Sequence, residues 1–173
     1  MVDSMVDLWR KPYHVVIKIE NKHCRMLKKF ASVGLRNLRV ADIRSSKTGA
    51  VKHLVELGSN QIGKIPDSLK PIVSRGKSDG KPTMWFESEG CEVCNTILSN
   101  DAFLVSGKSM EADIIMYSFM VPTFEAYTGI VSELEKTGHN VNVLKMGKFE
   151  PKTGVLTENQ GEDLLAGVEN WLF

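Results

Sequence analysis

Cys91-Glu-Val-Cys94 holds the side chains in this sequence best placed to do chemistry. The pair follows a strand-like stretch, Thr83 to Glu87, and opens a helix-like one, Glu92 to Leu98. A helix start favours thiolate over thiol, so two sulfurs one turn apart there can ligate a metal or exchange disulfides. A third cysteine, Cys24, has the same local setting. Glu20 closes an alternating apolar run as Glu87 does, the cysteine comes four residues later in both, and a capping-type side chain, Asn21 or Ser88, lies between. If the two corners are copies, two helix starts can meet and bring Cys24 to Cys91 and Cys94, with His23 as a fourth donor. Three thiolates and an imidazole make a tetrahedral set suited to zinc, and the same soft set takes copper(I) or another thiophilic ion.

Two other readings of the cysteines stay open. Cys91, Cys94 and Leu98 fall at i, i+3 and i+7, as do Cys24, Leu27 and Ala31, so each sulfur can simply face a core. A CxxC after a strand and before a helix also resembles a thioredoxin active site, with Val121-Pro122-Thr123 echoing that family's proline loop. Pro122, however, leads into a helix, and Gly90 rather than an aromatic precedes Cys91. His14, His53 and His139 show no helical pairing with acids, and no Gly-x-Ser-x-Gly, HExxH or phosphate-loop pattern occurs, so no catalytic residue is assigned and the chain is not read as an enzyme. Met84, Met110, Met116, Met120 and Met146 read as core filler.

The elements that must position the sulfurs follow from periodicity. Tyr13 to Glu20 alternates as a strand, with Val15, Ile17 and Ile19 on one face. Asn21 caps a helix ending at Gly34, and Leu35 to Ile43 with Val51 to Leu57 reads as a hairpin around Lys47-Thr-Gly49. Gly58 to Lys81 carries Pro66, Pro71 and several glycines, which predicts loop with at most a short helix near Asp67 to Ser74. The second half repeats the scheme: strand Thr83 to Glu87, helix Ser88 to Leu98, a hairpin of Phe103 to Gly107 and Ile114 to Val121, a helix capped by Thr123, and strand Val141 to Met146. Thr157-Glu-Asn-Gln160 is a capping box opening a last helix with the stripe Leu164, Leu165, Val168 and Leu172.

The expected fold class is α+β: two ferredoxin-like or ACT-like βαββ(αβ) halves packed together, with antiparallel sheets and helices on one face. The boundaries are 12–80 for a degenerate first half, 81–150 for a fuller β-α-β-β-α-β half, and 151–173 for a C-terminal linker and helix. The 173 residues, 42% hydrophobic and 25% charged, have ordinary globular composition. No apolar run reaches the ~18 residues of a membrane span, and Met1 to Lys11 lacks a signal-peptide core. Three cysteines, an odd number at low density, argue for reduced thiols, so the expected location is cytoplasmic. The net charge of +1, from 22 basic and 21 acidic residues, lacks the excess of a stand-alone nucleic-acid binder. The clusters Arg25 to Lys29 and Arg36 to Arg44 read as solvated faces.

Taken together, Glu89-Gly-Cys-Glu-Val-Cys94, Ile97-Leu98, Phe103-Leu-Val-Ser-Gly107, Phe119-Met-Val-Pro-Thr-Phe-Glu125 and Val155-Leu-Thr-Glu-Asn-Gln160 resemble archaeal bacterio-opsin-activator-type transcriptional regulators. His23-Cys24 after the first strand resembles a His-x-Cys-type motif of their sensory regions. The resemblance spans roughly residues 12 to 160. It implies a regulatory domain preceding a helix-turn-helix that opens with the Leu-Thr-Glu-Asn-Gln segment; the chain ends before a recognition helix, so DNA would be reached only through a missing C-terminal module. The expected function is sensing of a metal, redox signal or small ligand by Cys24, Cys91 and Cys94, with His23 available as a fourth ligand and zinc or another thiophilic metal as the cofactor. A small-metabolite module of ACT-like type with structural cysteines is the alternative, and a thiol-disulfide oxidoreductase the third. Unpaired strand edges and the apolar C-terminal stripe predict a homodimer and no membrane partner.

Overall fold

The computed structural model describes residues 11–65, 67–69, 71, 73–78, 81–111 and 113–149. The expected C-terminal helix, with its capping box and apolar stripe, lies outside the described residues. Among the described residues, eight strands form one antiparallel sheet with three α-helices: β1 (Tyr13–Glu20), α1 (Arg25–Ser32), β2 (Arg39–Ser45), β3 (Val51–Glu56), β4 (Val73–Ser78), β5 (Lys81–Ser88), α2 (Glu92–Ser99), β6 (Phe103–Glu111), β7 (Ile114–Val121), α3 (Phe124–Lys136) and β8 (Val141–Lys148). The class is α+β as expected.

The strand order is β4-β5-β3-β2-β6-β7-β1-β8. Read outward from the β2–β6 seam it is symmetric in the repeat, with β2 matched by β6, β3 by β7, β5 by β1 and β4 by β8. The leading strands have changed sides. β1 pairs with β7 and β8, while β5 pairs with β3 and β4. The stretches 12–80 and 81–150 are therefore not separate sheets: they share one, and each half of it contains the first strand of the other stretch. A β1 whose Val15, Ile17 and Ile19 are wholly buried needs neighbours on both sides, and it finds them in β7 and β8 of the later stretch.

The inner face of the sheet carries the core. Val51, His53 and Val55 of β3 alternate inward, opposite Phe86 of β5 and Ile43 of β2. Phe30 of α1 meets Phe86 edge-on at 5.1 Å between ring centres, so α1 crosses over to the half that contains β5. Burying these two rings is worth on the order of 2–3 kcal/mol each. Helix α2 packs on β2 and β6 at the seam and against α3, which covers β1, β7 and β8. Thr123 caps α3 as its sequence predicts, its Oγ1 accepting from the Ala126 N–H.

Two local expectations are corrected. Residues 73–78 form strand β4 where a loop or short helix near Asp67 to Ser74 was expected, and the helical turn lies earlier, at Ile62–Lys64. Val-Ser-Arg-Gly-Lys-Ser has no apolar alternation because β4 is an edge strand whose order comes from backbone bonding to β5. The helix caps also differ. Cys24 and Cys91 are themselves the N-cap residues, with extended backbones and no side-chain cap, which frees Asn21 and Ser88 for other bonds.

Candidate functional site

The two strand-to-helix corners meet beneath the helices. Asn21, 2% exposed, reaches from the end of β1 and donates through Nδ2 to Cys91 Sγ at 3.2 Å and to the Tyr117 hydroxyl at 3.3 Å. Its Oδ1 accepts from the His23 backbone N–H, and its own N–H donates to the Asp113 carbonyl, so it is held from every side. Cys91 lies between the other two sulfurs, interacting with Cys24 and with Cys94. All three thiols are free and buried. The two corners therefore meet, with Asn21 of the corner that carries Cys24 bonded to Cys91 of the other.

His23 is not part of it. Its imidazole is exposed and makes no hydrogen bond to the sulfurs, because Cys24 points inward and the neighbouring side chain must leave on the other side. The nitrogen at the site belongs to His53, whose Nε2 lies 3.8 Å from Cys94 Sγ. The signal for it was present in the sequence: Val51, His53 and Val55 put a histidine on the apolar side of a strand. Asn21 and Tyr117 also escaped notice as site residues, since nothing local marks a capping-type residue or an alternating tyrosine as a thiol partner.

The electrostatics follow from the stacking of three sulfurs. One proton leaves readily. Cys91 is driven far below the ordinary thiol value by hydrogen bonds from Cys24 first, then Cys94, with Asn21 adding a further donor, and these outweigh its burial. The same contact raises its neighbours. Cys24 and Cys94 are pushed far up, chiefly because they donate to Cys91 and then because they are buried. Tyr117 rises through burial first and the nearby sulfurs second. Burial lowers His53, partly offset by the Cys91 charge; the Val51 backbone is close enough to favour the protonated ring slightly, yet Nδ1 is in bonding geometry with no partner. Of the three sulfurs, Cys91 is thus the one favoured to give up its proton, beside an imidazole whose burial opposes protonation.

A cavity of about 20 Å³, room for one water-sized guest, touches Cys24, Cys94, His53 and Tyr117. Leu27, Leu38 and Ser109 line both this cavity and a larger cleft of about 340 Å³ between α1 and β6. His139 braces the α2 end of the arrangement, its ring nitrogens meeting the Glu20 carbonyl and, at 3.1 Å, Glu92 Oε2. Thus Glu92, next to Cys91, is tied through His139, in the turn after α3, to the end of β1.

The donor types are those of a soft-metal site. Among the described residues, however, no group of three or more His, Cys, Asp and Glu side chains is disposed to hold a metal ion. His53 also lacks the outer acceptor that normally orients a metal-bound imidazole. Among the described residues no helix is long and apolar enough to cross a membrane. No protein-family model matches the chain, and no curated protein matches it.

Proposed function

We propose that the chain is the sensory domain of an archaeal-type transcription regulator, and that the Cys24, Cys91 and Cys94 centre is its receptor. The single observation that carries this reading is that Asn21, at the corner that carries Cys24, donates to the buried Cys91 sulfur at the other corner, 67 residues on from Cys24 in sequence, which favours Cys91 as the sulfur that gives up its proton. A buried thiolate is costly unless donors surround it, and a protein that needed only packing would do better with apolar side chains there. Signals a thiolate can receive are a thiophilic metal such as zinc, an oxidant, or a small ligand. In a ferredoxin-like or ACT-like pair with exchanged leading strands, a change at this centre pulls on both strand-to-helix corners at once, and through Glu92 and His139 on the start of β8. Output passes to whatever follows β8, a helix-turn-helix in the regulators that the sequence resembles. The domain works without turnover, in the cytoplasm, as a homodimer; exposed Leu144 and Met146 on edge strand β8 support that assembly.

The test is thiol accounting on protein purified without chelator. Zinc bound stoichiometrically, or three thiols reacting with small reagents far faster in the folded protein than an ordinary buried cysteine does, supports the receptor. Loss of both in a Cys91→Ser variant that still folds ties the effect to the centre. Thiols inert until unfolding, with no metal, end this reading. The 340 Å³ cleft, lined among others by Leu27, Ala31, Arg36 and Met110, favours a second one: a small-metabolite module whose cysteines only pack. In that case ligand-induced stabilisation would disappear in Arg36→Ala and survive in Cys91→Ser.

A further inference from the structure

Independently of the receptor reading, we infer that the outer face of β6, β7, β1 and β8 is a docking surface for this chain's own acidic segment, residues 157–172, which lies on it as an amphipathic helix. The helices α1, α2 and α3 all sit on the other face of the sheet, where Phe30 meets Phe86, Cys94 meets His53, and Phe124 meets Tyr13 edge-on at 6.0 Å. Among the described residues no helix covers the outer side of these four strands. His14, Val16 and Lys18 alternate with the buried Val15, Ile17 and Ile19 and so point to that side. The register sets Met120, Ser118 and Met116 of β7 beside them, with Phe103 and Lys108 of β6 beyond. A bond of 2.7 Å between His14 Nε2 and Ser118 Oγ confirms the shared face.

This face is not made for water. The solvated side of an antiparallel sheet is ordinarily polar, yet the outward positions of β7 are Ile114, Met116 and Met120 against the single Ser118. Phe103, in the same row as Met120 and His14, is 67% exposed. A strand that is apolar on both sides gains by being covered on both.

Charge selects the occupant. The body of the face carries Lys18, Lys108 and Lys145; Lys145 pairs with Val16 of β1, and its charge, after burial, helps hold the His14 imidazole below its ordinary value. Carboxylates stand only at the far end, where Glu20 is tied to Lys22 at 3.0 Å and Glu111 pairs with Ile114. A second copy laid on this face would bring the same lysines against these. Residues 150–173 instead hold five acids and one lysine. On a helical period Leu164, Leu165, Val168 and Leu172 make one apolar stripe, and Glu158, Glu162 and Glu169, at i, i+4 and i+11, fall in a row along one side of it. An apolar band with an acidic row thus matches an apolar band, on β6 and β7, with lysines beside it on β1 and β8.

The lengths agree. A helix of sixteen residues and a strand of eight each run to roughly 25 Å. Phe149, whose N–H donates to the Pro12 carbonyl at 2.7 Å, fixes the departure point beside the start of β1, next to the row of Phe103, Met120 and His14. Seven intervening residues reach up to ~23 Å, enough to turn onto the face. Gly161 and Gly167 weaken a helix of this sequence on its own, so it depends on a surface to form.

Carbodiimide, which joins a carboxylate to a contacting amine without a spacer, tests this on full-length protein mixed from isotopically light and heavy preparations. Links should run from Glu158, Glu162 or Glu169 to Lys18, Lys108 or Lys145, within single chains. Hydroxyl-radical footprinting should find Met116 and Met120 protected. Val168→Asp, a change outside the sheet, should abolish the links and raise oxidation of both methionines roughly tenfold, with the circular dichroism of the sheet unchanged. Wild-type methionines oxidised as fast as in Val168→Asp overturn the proposal. Links found only between light and heavy chains overturn it in favour of a second copy's segment, and links from Asp3 or Asp7 in favour of the other end of the chain. None of these readouts involves a thiol, so each outcome leaves the receptor reading to its own test.

Discussion

The β1–α1 and β5–α2 corners begin alike and end differently. Each closes a strand on a glutamate-bearing end, turns over a small polar residue, and starts an eight-residue helix from a cysteine N-cap. Helix α1 then buries Met26 and Phe30 while Arg25, Lys28 and Lys29 face solvent, whereas α2 buries Val93, Cys94, Thr96 and Ile97 at the seam of the sheet. Asn21 is wholly enclosed between corners, and its counterpart Ser88 only accepts from the Gly90 N–H. Two similar corners thus serve different purposes: one supplies the donor Asn21 along with Cys24, the other Cys91 and Cys94.

Phe30→Ala should break the α1 side most severely. It removes the ring that rests on Phe86 and should cost about 3–5 kcal/mol in urea unfolding. Ile97→Ala on α2 should cost ~2–5 kcal/mol, and it should also disturb thiol reactivity, which Phe30→Ala in any molecules that stay folded should affect less.

Glycines sharpen the contrast. Gly90 precedes Cys91 with φ of +74°, and an added Cβ there would stand 2.6 Å from Val51 Cγ2. Gly34, beyond α1, also has a positive φ, +78°, but has open space around it. Gly90→Ala should therefore cost more than Gly34→Ala, about 2–3 kcal/mol against ~1 kcal/mol, by thermal or chemical denaturation. Asn21→Ala leaves Cys91 and Tyr117 without a donor and should cost about 1–3 kcal/mol, while Ser88→Ala should stay under ~1 kcal/mol.

The smallest effect is that of pH. Burial holds His53 below its ordinary value of 6.5, so below that pH the unfolded chain binds a proton that the folded protein resists. Stability should be complete above about pH 6.5 and fall as the solution is acidified through it, with a slope approaching one proton. The nearby Cys91 charge opposes the shift, so the pH range over which stability falls should widen in Cys91→Ser, and the dependence should flatten in His53→Leu.

The elements were largely legible in the sequence. β1 and β7 run over the residues their alternation marks, and Thr123 caps α3. The edge strand β4 was not, since no apolar alternation announces a strand ordered by backbone bonding. Two sulfurs, Cys91 and Cys94, are tied together by one helical turn, and the echo at Cys24 gave the third. The alternation of Val51, His53 and Val55 marks His53 as facing the core, but that His53 and not His23 meets Cys94 was decided only by the formed sheet, where a strand side chain joins a helix start.

Local spacing, acting through helical and strand periodicity, marked two similar strand-to-helix corners, the helices α1, α2 and α3, and a thiol-bearing helix start. Tertiary structure alone decided that β1 and β5 exchange places, and with that exchange that Asn21, Cys24 and Cys91 share one buried point. The physical reason is range: periodicity speaks for neighbours along the chain, whereas strand order is chosen by which distant apolar face buries best, and here that choice joins residues 70 positions apart.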